Sequence, residues 1–409
     1  MSSKQRVVIT GAGNLSPLGN DWPTVRQGLR EGHSGVTVMQ EWANIKGLRC
    51  HLAAPTDLQL PPRYNRRALR SMGRVAQLAV RSAELAIEAA GLPESVLQNG
   101  RTGIAYGSAT GSPDAALEFV STLTHADSTP LKSTSYLRMM SHTGAVNIGV
   151  FFGITGRMLT TSSACTAASQ AIGFAYETVR DGIQDVMLAG GSDELTSAHS
   201  AVFDALLATS QRNDHPQSTP RPFDSHRDGL VLGEGASTLI IESLAHARAR
   251  GATIIGEIVG FATNTDGSHI TAPNTDTQAQ CLRLALADAK LDADAIGYVN
   301  AHGTATDAGD QSECEATFQV LGRKPISSLK GHMGHTLGAC GGLEAWASIM
   351  MQAEGWFAPT LNLTQPDPQL ANLDYLRDAP RELDCEHLMS NNFAFGGINT
   401  SLILRRFSG

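Results

Sequence analysis

Short β-branched runs alternate with longer helical stretches along most of the chain, and this alternation constrains the fold more than any other feature. Residues 6–11 (RVVITG) predict a buried strand, and residues 71–91 a helix that Gly91 stops. Residues 101–107 read as a strand, and residues 163–180 as a helix leading into the strand 185–189. Strand 236–242, helix 244–250, strand 254–260, helix 278–289 and strand 296–301 follow, and residues 400–405 predict a closing strand. Strands separated by helices pair in parallel and need helices over their faces, so the fold class is α/β. The one candidate joint is HARARGATIIGEIVG near Gly251, which divides the chain into halves 1–250 and 251–409. Neither half shows a short-period repeat.

Composition narrows the function. Of 409 residues 42% are hydrophobic and 17% charged, which excludes disorder and coiled coil. The 31 basic residues against 39 acidic ones give a net charge of −8, with no basic block, so a nucleic-acid partner is not expected. No apolar run is long enough to span a membrane, and the stretch MSSKQRVVITGAG lacks the apolar core of a secretory signal. Cys50, Cys165, Cys281, Cys314, Cys340 and Cys385 form no CxxC pair, which argues against a disulfide framework and a zinc knuckle. The expectation is a cytoplasmic enzyme without a metal.

The glycine-rich run VVITGAGNLSPLG invites a dinucleotide-binding reading. Pro17 stands where a phosphate-cradling helix would begin, no acid closes a second strand about 20 residues on, and no Tyr-x-x-x-Lys is present. The nicotinamide reading is rejected.

Chemistry concentrates elsewhere. Cys165 sits in TTSSACTAASQAIGF, where a helical pattern starts directly after the thiol. The positive end of a helix dipole there would lower the thiol pKa and favour thiolate, so loading of the thiol would need no imidazole. NAHGTATDAGD sets His302 just after a strand, at the carboxyl end where α/β sites gather. SSLKGHMGHTLGACGGLEA carries Lys330, His332, His335 and Glu344 in a small-residue loop running into a helix, and NNFAFGGINTSL puts Phe393 and Phe395 before a Gly-Gly turn. His332 and His335 lack partners at metal-ligand spacing.

Taken in this order, VVITGAGNLSPLGN, TSSACTAAS, RPFDSHRDGLVLGEGA and the three segments above resemble the elongating β-ketoacyl-acyl carrier protein synthases, over nearly the whole chain. The resemblance implies a thiolase fold, with two duplicated α-β-α-β-α halves in five layers, acting as a dimer. It implies an acyl-accepting nucleophile at Cys165, catalytic histidines at His302 and His335, and the loop lysine Lys330. Glu344 would hold that region, and Phe395 would gate the site and join the Cys165 N–H in an oxyanion hole. Thr304 and Thr306 would bind the phosphopantetheine arm of a carrier protein, beside Phe393. The implied reaction condenses an acyl group on Cys165 with malonyl-carrier protein in fatty acid elongation, with no cofactor. The Cys-His-His set separates the chain from initiating synthases, which carry an asparagine at the His335 position, and from chain-length factors, which lack the nucleophile.

Two departures open the pathway. Asp307 replaces the family's proline, and Thr110 in YGSATGS stands at the acyl pocket where a glycine or apolar residue is common. The alternative is a type II polyketide or polyene ketosynthase paired with a chain-length-factor-like subunit, so the dimer is homomeric or heteromeric. The basic run NRRALRSMGR groups Arg66, Arg67, Arg70 and Arg74 on a helical stretch, a candidate dock for an acidic acyl carrier protein.

Overall fold

The computed structural model describes residues 4–408. Ten of the eleven strands of the central sheet build its core, the eleventh being the two-residue edge strand Asp374–Tyr375: β1 (Val7–Leu15), β2 (Thr102–Gly107), β3 (Met158–Thr161), β4 (Val186–Asp193) and β5 (Gly235–Ser243) in the first half. The second half supplies β6 (Gly256–Thr265), β7 (Ile296–Asn300), β8 (Pro325–Ser327), β9 (His387–Ala394) and β10 (Ile398–Arg405). Their spatial orders are β3-β2-β4-β5-β1 and β8-β7-β9-β10-β6, the same path walked twice. Pairing also repeats: β2 and β7 each lie parallel to both neighbours, and the last two ladders of each half are antiparallel. The two halves meet where Val7–Ile9 pairs with Gly256–Ile258, so the ladder runs unbroken from one half into the other.

Five helices complete the layers: α1 (Arg74–Ala90), α2 (Ala167–Arg180), α3 (Thr275–Ala289), α4 (Asp307–Leu321) and α5 (Cys340–Glu354). Strands buried on both faces send alternate residues to different layers. Met187 and Ala189 of β4 face inward with α2 and α5, whereas Val186 and Leu188 face outward against α1. In the second half Leu402 and Leu404 of β10 join the inner core, and Ile403 packs outward with Leu282 and Ala285 of α3. The result is the thiolase fold, with α2 and α5 as its shared middle layer.

Local chemistry explains where the helices start and stop. Gly91 ends α1 at φ 60°, a left-handed conformation that costs glycine little. α1 begins at Arg74 rather than residue 71, and α3 begins three residues earlier than its apolar period, because Asn274 caps it by accepting from the N–H groups of Asp276 and Thr277. The short strands β3 and β8 carry no readable period.

The glycine-rich N-terminal run is itself strand β1, and it serves packing. A Cβ on Gly13 would lie 2.1 Å from the Ser82 carbonyl oxygen and 2.4 Å from the Ala86 amide of α1. Backbone atoms cannot yield there, so helix and sheet approach at a distance only glycine allows. Gly13→Ala should therefore cost about 1–3 kcal/mol in urea denaturation. An unchanged midpoint would show that α1 shifts freely over the sheet.

Candidate active site

Cys165 occupies a tight turn between β3 and α2. Ala164 adopts φ 50°, Thr166 N–H closes a 3.1 Å bond to the Ser163 carbonyl, and α2 starts at Ala167. This turn aims the thiol into the interior at the helix start. The expected thiolate is not found. Burial pushes the Cys165 thiol up to about 11, although the Phe395 backbone N–H and the Lys330 charge pull the other way. At neutral pH the resting group is a thiol.

Three segments of the second half close on it. His335 lies in the loop before α5, fixed by its N–H to the Val231 carbonyl (2.7 Å), and its Nε2 is 3.0 Å from the Cys165 Sγ. His302 follows β7, and its ring stands 5.2 Å from that of His335, nearly perpendicular. The Lys330 Nζ and the Asn392 Nδ2 both donate toward His302 Nδ1, at 3.3 and 3.4 Å. Two donors on one nitrogen leave it an acceptor, so the ring hydrogen sits on Nε2. Glu344 accepts from Lys330 at 2.5 Å and from Asn392 at 2.7 Å. Burial draws the Lys330 pKa down, but Glu344 more than restores it, and the lysine stays charged. Burial first and the Lys330 charge second hold both imidazoles well below their ordinary pKa, so both are neutral.

Buried carboxylates set the loop backbones. Glu313 of α4 accepts from the N–H groups of His302 and Gly303, each at 2.7 Å. Asp310 accepts from Thr304, Ala305 and Phe223. Asp193, at the end of β4, accepts from the N–H of Ala109 and of Gly338 (2.6 Å). Asn392, Asp193, Asp310 and Glu313 escape motif reading, since each works through backbone or through another side chain. A carboxylate repeated within one turn after a histidine loop, as in Asp310 and Glu313, is the signal that could have found two of them.

Cys165, His302 and His335 are also the one metal-capable cluster among the described residues, with ligand atoms within 4.8 Å of one another. A metal on His302 Nε2 would force the hydrogen to Nδ1, against two donors, so the set suits proton and hydrogen-bond chemistry better. His332 is turned away and bridges the carbonyls of His33 and Pro359.

An open cleft of about 410 Å³ leads to the thiol. Its walls include Thr304, Thr306, Phe393 and Phe395, the last 40% exposed at the mouth. The hydroxyls of Thr304 and Thr306 meet at 2.9 Å. Asp307 opens α4 and pairs with Arg227 at 3.3 Å. Thr110 does not line this cleft; it lies in a separate depression of about 350 Å³ beside β3. The basic run is not one helix: Ala68–Ser71 is a 3-10 turn, and Arg74 is spent on the buried Glu234 in a two-pronged ion pair. Arg66, Arg67 and Arg70 remain exposed.

Known proteins agree with this architecture. Residues 4–247 match the family model "Beta-ketoacyl synthase, N-terminal domain" and residues 255–364 its C-terminal counterpart. A solved β-ketoacyl synthase from Burkholderia phymatum is 53% identical, with a TM-score of 0.97 over 99% of this chain and 100% of its own. The 3-oxoacyl-[acyl-carrier-protein] synthase 1 of Escherichia coli is 36% identical over 98% of this chain and 99% of its own length. The ishigamide ketosynthase/chain length factor structure is 31% identical, with a TM-score of 0.91 over 99% of this chain and 100% of that one. Among the described residues no helix is long and apolar enough to cross a membrane.

A thiol held up to about 11 should titrate late. Cys165 alkylation by iodoacetamide, read by peptide mass, should climb about tenfold per pH unit from pH 7 to 9. A plateau reached by pH 7 would mean a resting thiolate.

Proposed function

The chain belongs to the β-ketoacyl synthase family, and we propose that it condenses a carrier-bound acyl group with malonyl-acyl carrier protein in fatty acid elongation, releasing CO₂. One observation carries the reading: a buried thiol touches one neutral imidazole and faces a second at the bottom of an open cleft. In loading, the Cys165 proton passes to His335 Nε2 as Sγ attacks the acyl thioester carbon, and the departing pantetheine thiolate takes a proton from water. Nothing holds the other nitrogen of His335, since Nδ1 is buried without a partner. The ring hydrogen sits on Nδ1 in loading, so Nε2 accepts the thiol proton, and that same proton is what Nε2 donates afterwards.

In the second half-reaction the malonyl C–C bond breaks, CO₂ leaves, and the electron pair moves into the thioester enolate. The Nε2–H of His302 and that of His335 stabilise the oxygen charge. The enolate carbon attacks the acyl carbonyl, whose oxyanion meets the N–H groups of Cys165 and Phe395, and collapse expels the Cys165 thiolate, which takes back the proton from His335 Nε2. Lys330 and Glu344 act through His302, Thr304 and Thr306 flank the pantetheine arm with Phe393, and Phe395 gates the cleft. No step calls for a cofactor. The two halves divide at residue 250, and the protein works in the cytoplasm as a dimer. The likeness to the ishigamide complex favours a second reading, a ketosynthase paired with a chain-length-factor-like subunit.

Condensation of acyl- and malonyl-carrier protein, followed by mass spectrometry, tests the reading; full activity in Cys165→Ala would overturn it. His302→Ala should still form acyl-enzyme while CO₂ release falls about 10²–10³-fold. His335→Ala should lose loading as well, because burial leaves the thiol protonated. Normal acylation of that variant would return the proton transfer to solvent.

Carrier docking rests on charge. Charge reversal at Arg66, Arg67 and Arg70 together should raise the KM for carrier-bound substrate several-fold and spare small pantetheine thioesters, with the difference shrinking in salt. An equal effect on both substrates would move the dock elsewhere.

A further inference from the structure

The cleft that leads to Cys165 has acidic walls and no basic ones. Asp228, Asp266, Asp307 and Glu313 line it, and among the described residues no lysine or arginine does. Three of these acids are engaged by the protein itself. Glu313 holds the backbone of the His302 loop, and Asp266 accepts from the Asn274 N–H and from the side chains of Thr277 and Asn399. Asp228 accepts from Ser210 and stands 3.4 Å from the Arg212 guanidinium. Asp307 differs, because its side chain is 88% exposed.

Asp307 is the first residue of α4, and Ala308 and Gly309 behind it also face the cleft. The start of a helix ordinarily favours a phosphate, since its N–H groups and its dipole both attract negative charge. Here the chain places its own carboxylate at that end. The Arg227 guanidinium beside it is only 7% exposed and is shared among Asp367 at 2.6 Å, Asp307 at 3.3 Å and Asp310 at 3.9 Å. One positive charge set among three carboxyl groups has no attraction left for an incoming anion.

Resting on the reading that a carrier's pantetheine arm reaches Cys165 through this cleft, we propose that Asp307 is a specificity-determining residue that turns away thioesters whose arm ends in a multiply charged phosphate group. With the thioester at the bottom of the cleft, the phosphate end stays at the mouth, where Asp307 stands. A carrier-bound arm ends in a phosphodiester of single charge, and contacts with the carrier surface offset its repulsion. An arm that ends in a nucleotide, as in acyl-coenzyme A, brings several negative charges and no protein contacts. The repulsion acts on binding and leaves the chemistry at the thiol alone.

The test is the rate of Cys165 acylation at limiting thioester, read by intact mass, with octanoyl-pantetheine, octanoyl-coenzyme A and octanoyl-acyl carrier protein. Wild-type protein should react faster with the uncharged octanoyl-pantetheine than with octanoyl-coenzyme A. Asp307→Asn should raise the coenzyme A rate about fivefold, as loss of one charge close to others at a wet surface predicts, and move the pantetheine rate less than about twofold. That gain should shrink in salt. Asp307→Pro should act alike, since the first helical position accepts proline and Thr306 before it is already extended, with ψ 143°. Asp307→Glu should keep the wild-type ratio. An aspartate that merely supports α4 would move both small thioesters together. Equal wild-type rates for the two, or a ratio that neither neutral variant changes, overturn the proposal. If none of the three thioesters acylates Cys165, the synthase reading falls and this proposal with it.

Discussion

The buried ion pair between Lys330 and Glu344 is the contact on which the site depends. Placing two charges out of water costs several kcal/mol, which close pairing only partly returns. A hydrophobic pair of similar size would fill the space with less penalty, so stability alone does not explain it. Burial first, and the lysine's field second, keep His302 and His335 neutral, and the lysine's proton fixes His302 with the hydrogen toward the cleft. Asn392 doubles that constraint, donating to Glu344 and to the same imidazole nitrogen. The energy invested in the pair reappears as a defined tautomer at the place where charge develops.

The loops around this pair hang on carboxylates rather than on secondary structure. Burial raises Glu313 to about 8 and Asp310 and Asp193 to about 6. A carboxyl whose pKa rises on folding holds its proton more tightly in the folded chain. Its contribution therefore favours the fold at low pH and declines as pH climbs from the ordinary carboxylate range through 6 to 8. Bound N–H groups limit that loss, because they favour the ionised form.

Much of this was legible in the chain, and the failures have physical causes. Cys165, His302, His335 and Lys330 lie in glycine- and alanine-rich segments at strand or helix ends, and the structure brings them together. The thiolate expectation failed on magnitude. A helix dipole is worth about 0.3–1 kcal/mol at an exposed end, whereas raising a thiol to about 11 corresponds to roughly 3 kcal/mol of desolvation. The ion pair of Arg74 was not foreseen because its partner, Glu234, lies 160 positions away, beyond any local reading. The duplication was invisible for another reason. It resides in strand order and pairing direction, which leave no trace in residue identity when both faces of each strand demand any apolar side chain.

The duplication also shows what sets the Cys165 turn apart from its copy. The turn Ala164–Thr166 before α2 has a counterpart in Leu337–Ala339 before α5, and Ala164 and Leu337 share φ 50°. Cys165 thus stands where Gly338 stands in the other copy. The Gly338 N–H faces the end of β4, the strand that follows α2 in the other half. At Gly338 that place holds the Asp193 carboxylate, 2.6 Å from the amide, an anion of the protein's own. At Cys165 the corresponding strand end supplies the Phe395 N–H, which faces the sulfur. One copy of the turn is therefore closed by a carboxylate and serves as a brace, while the other faces a backbone N–H.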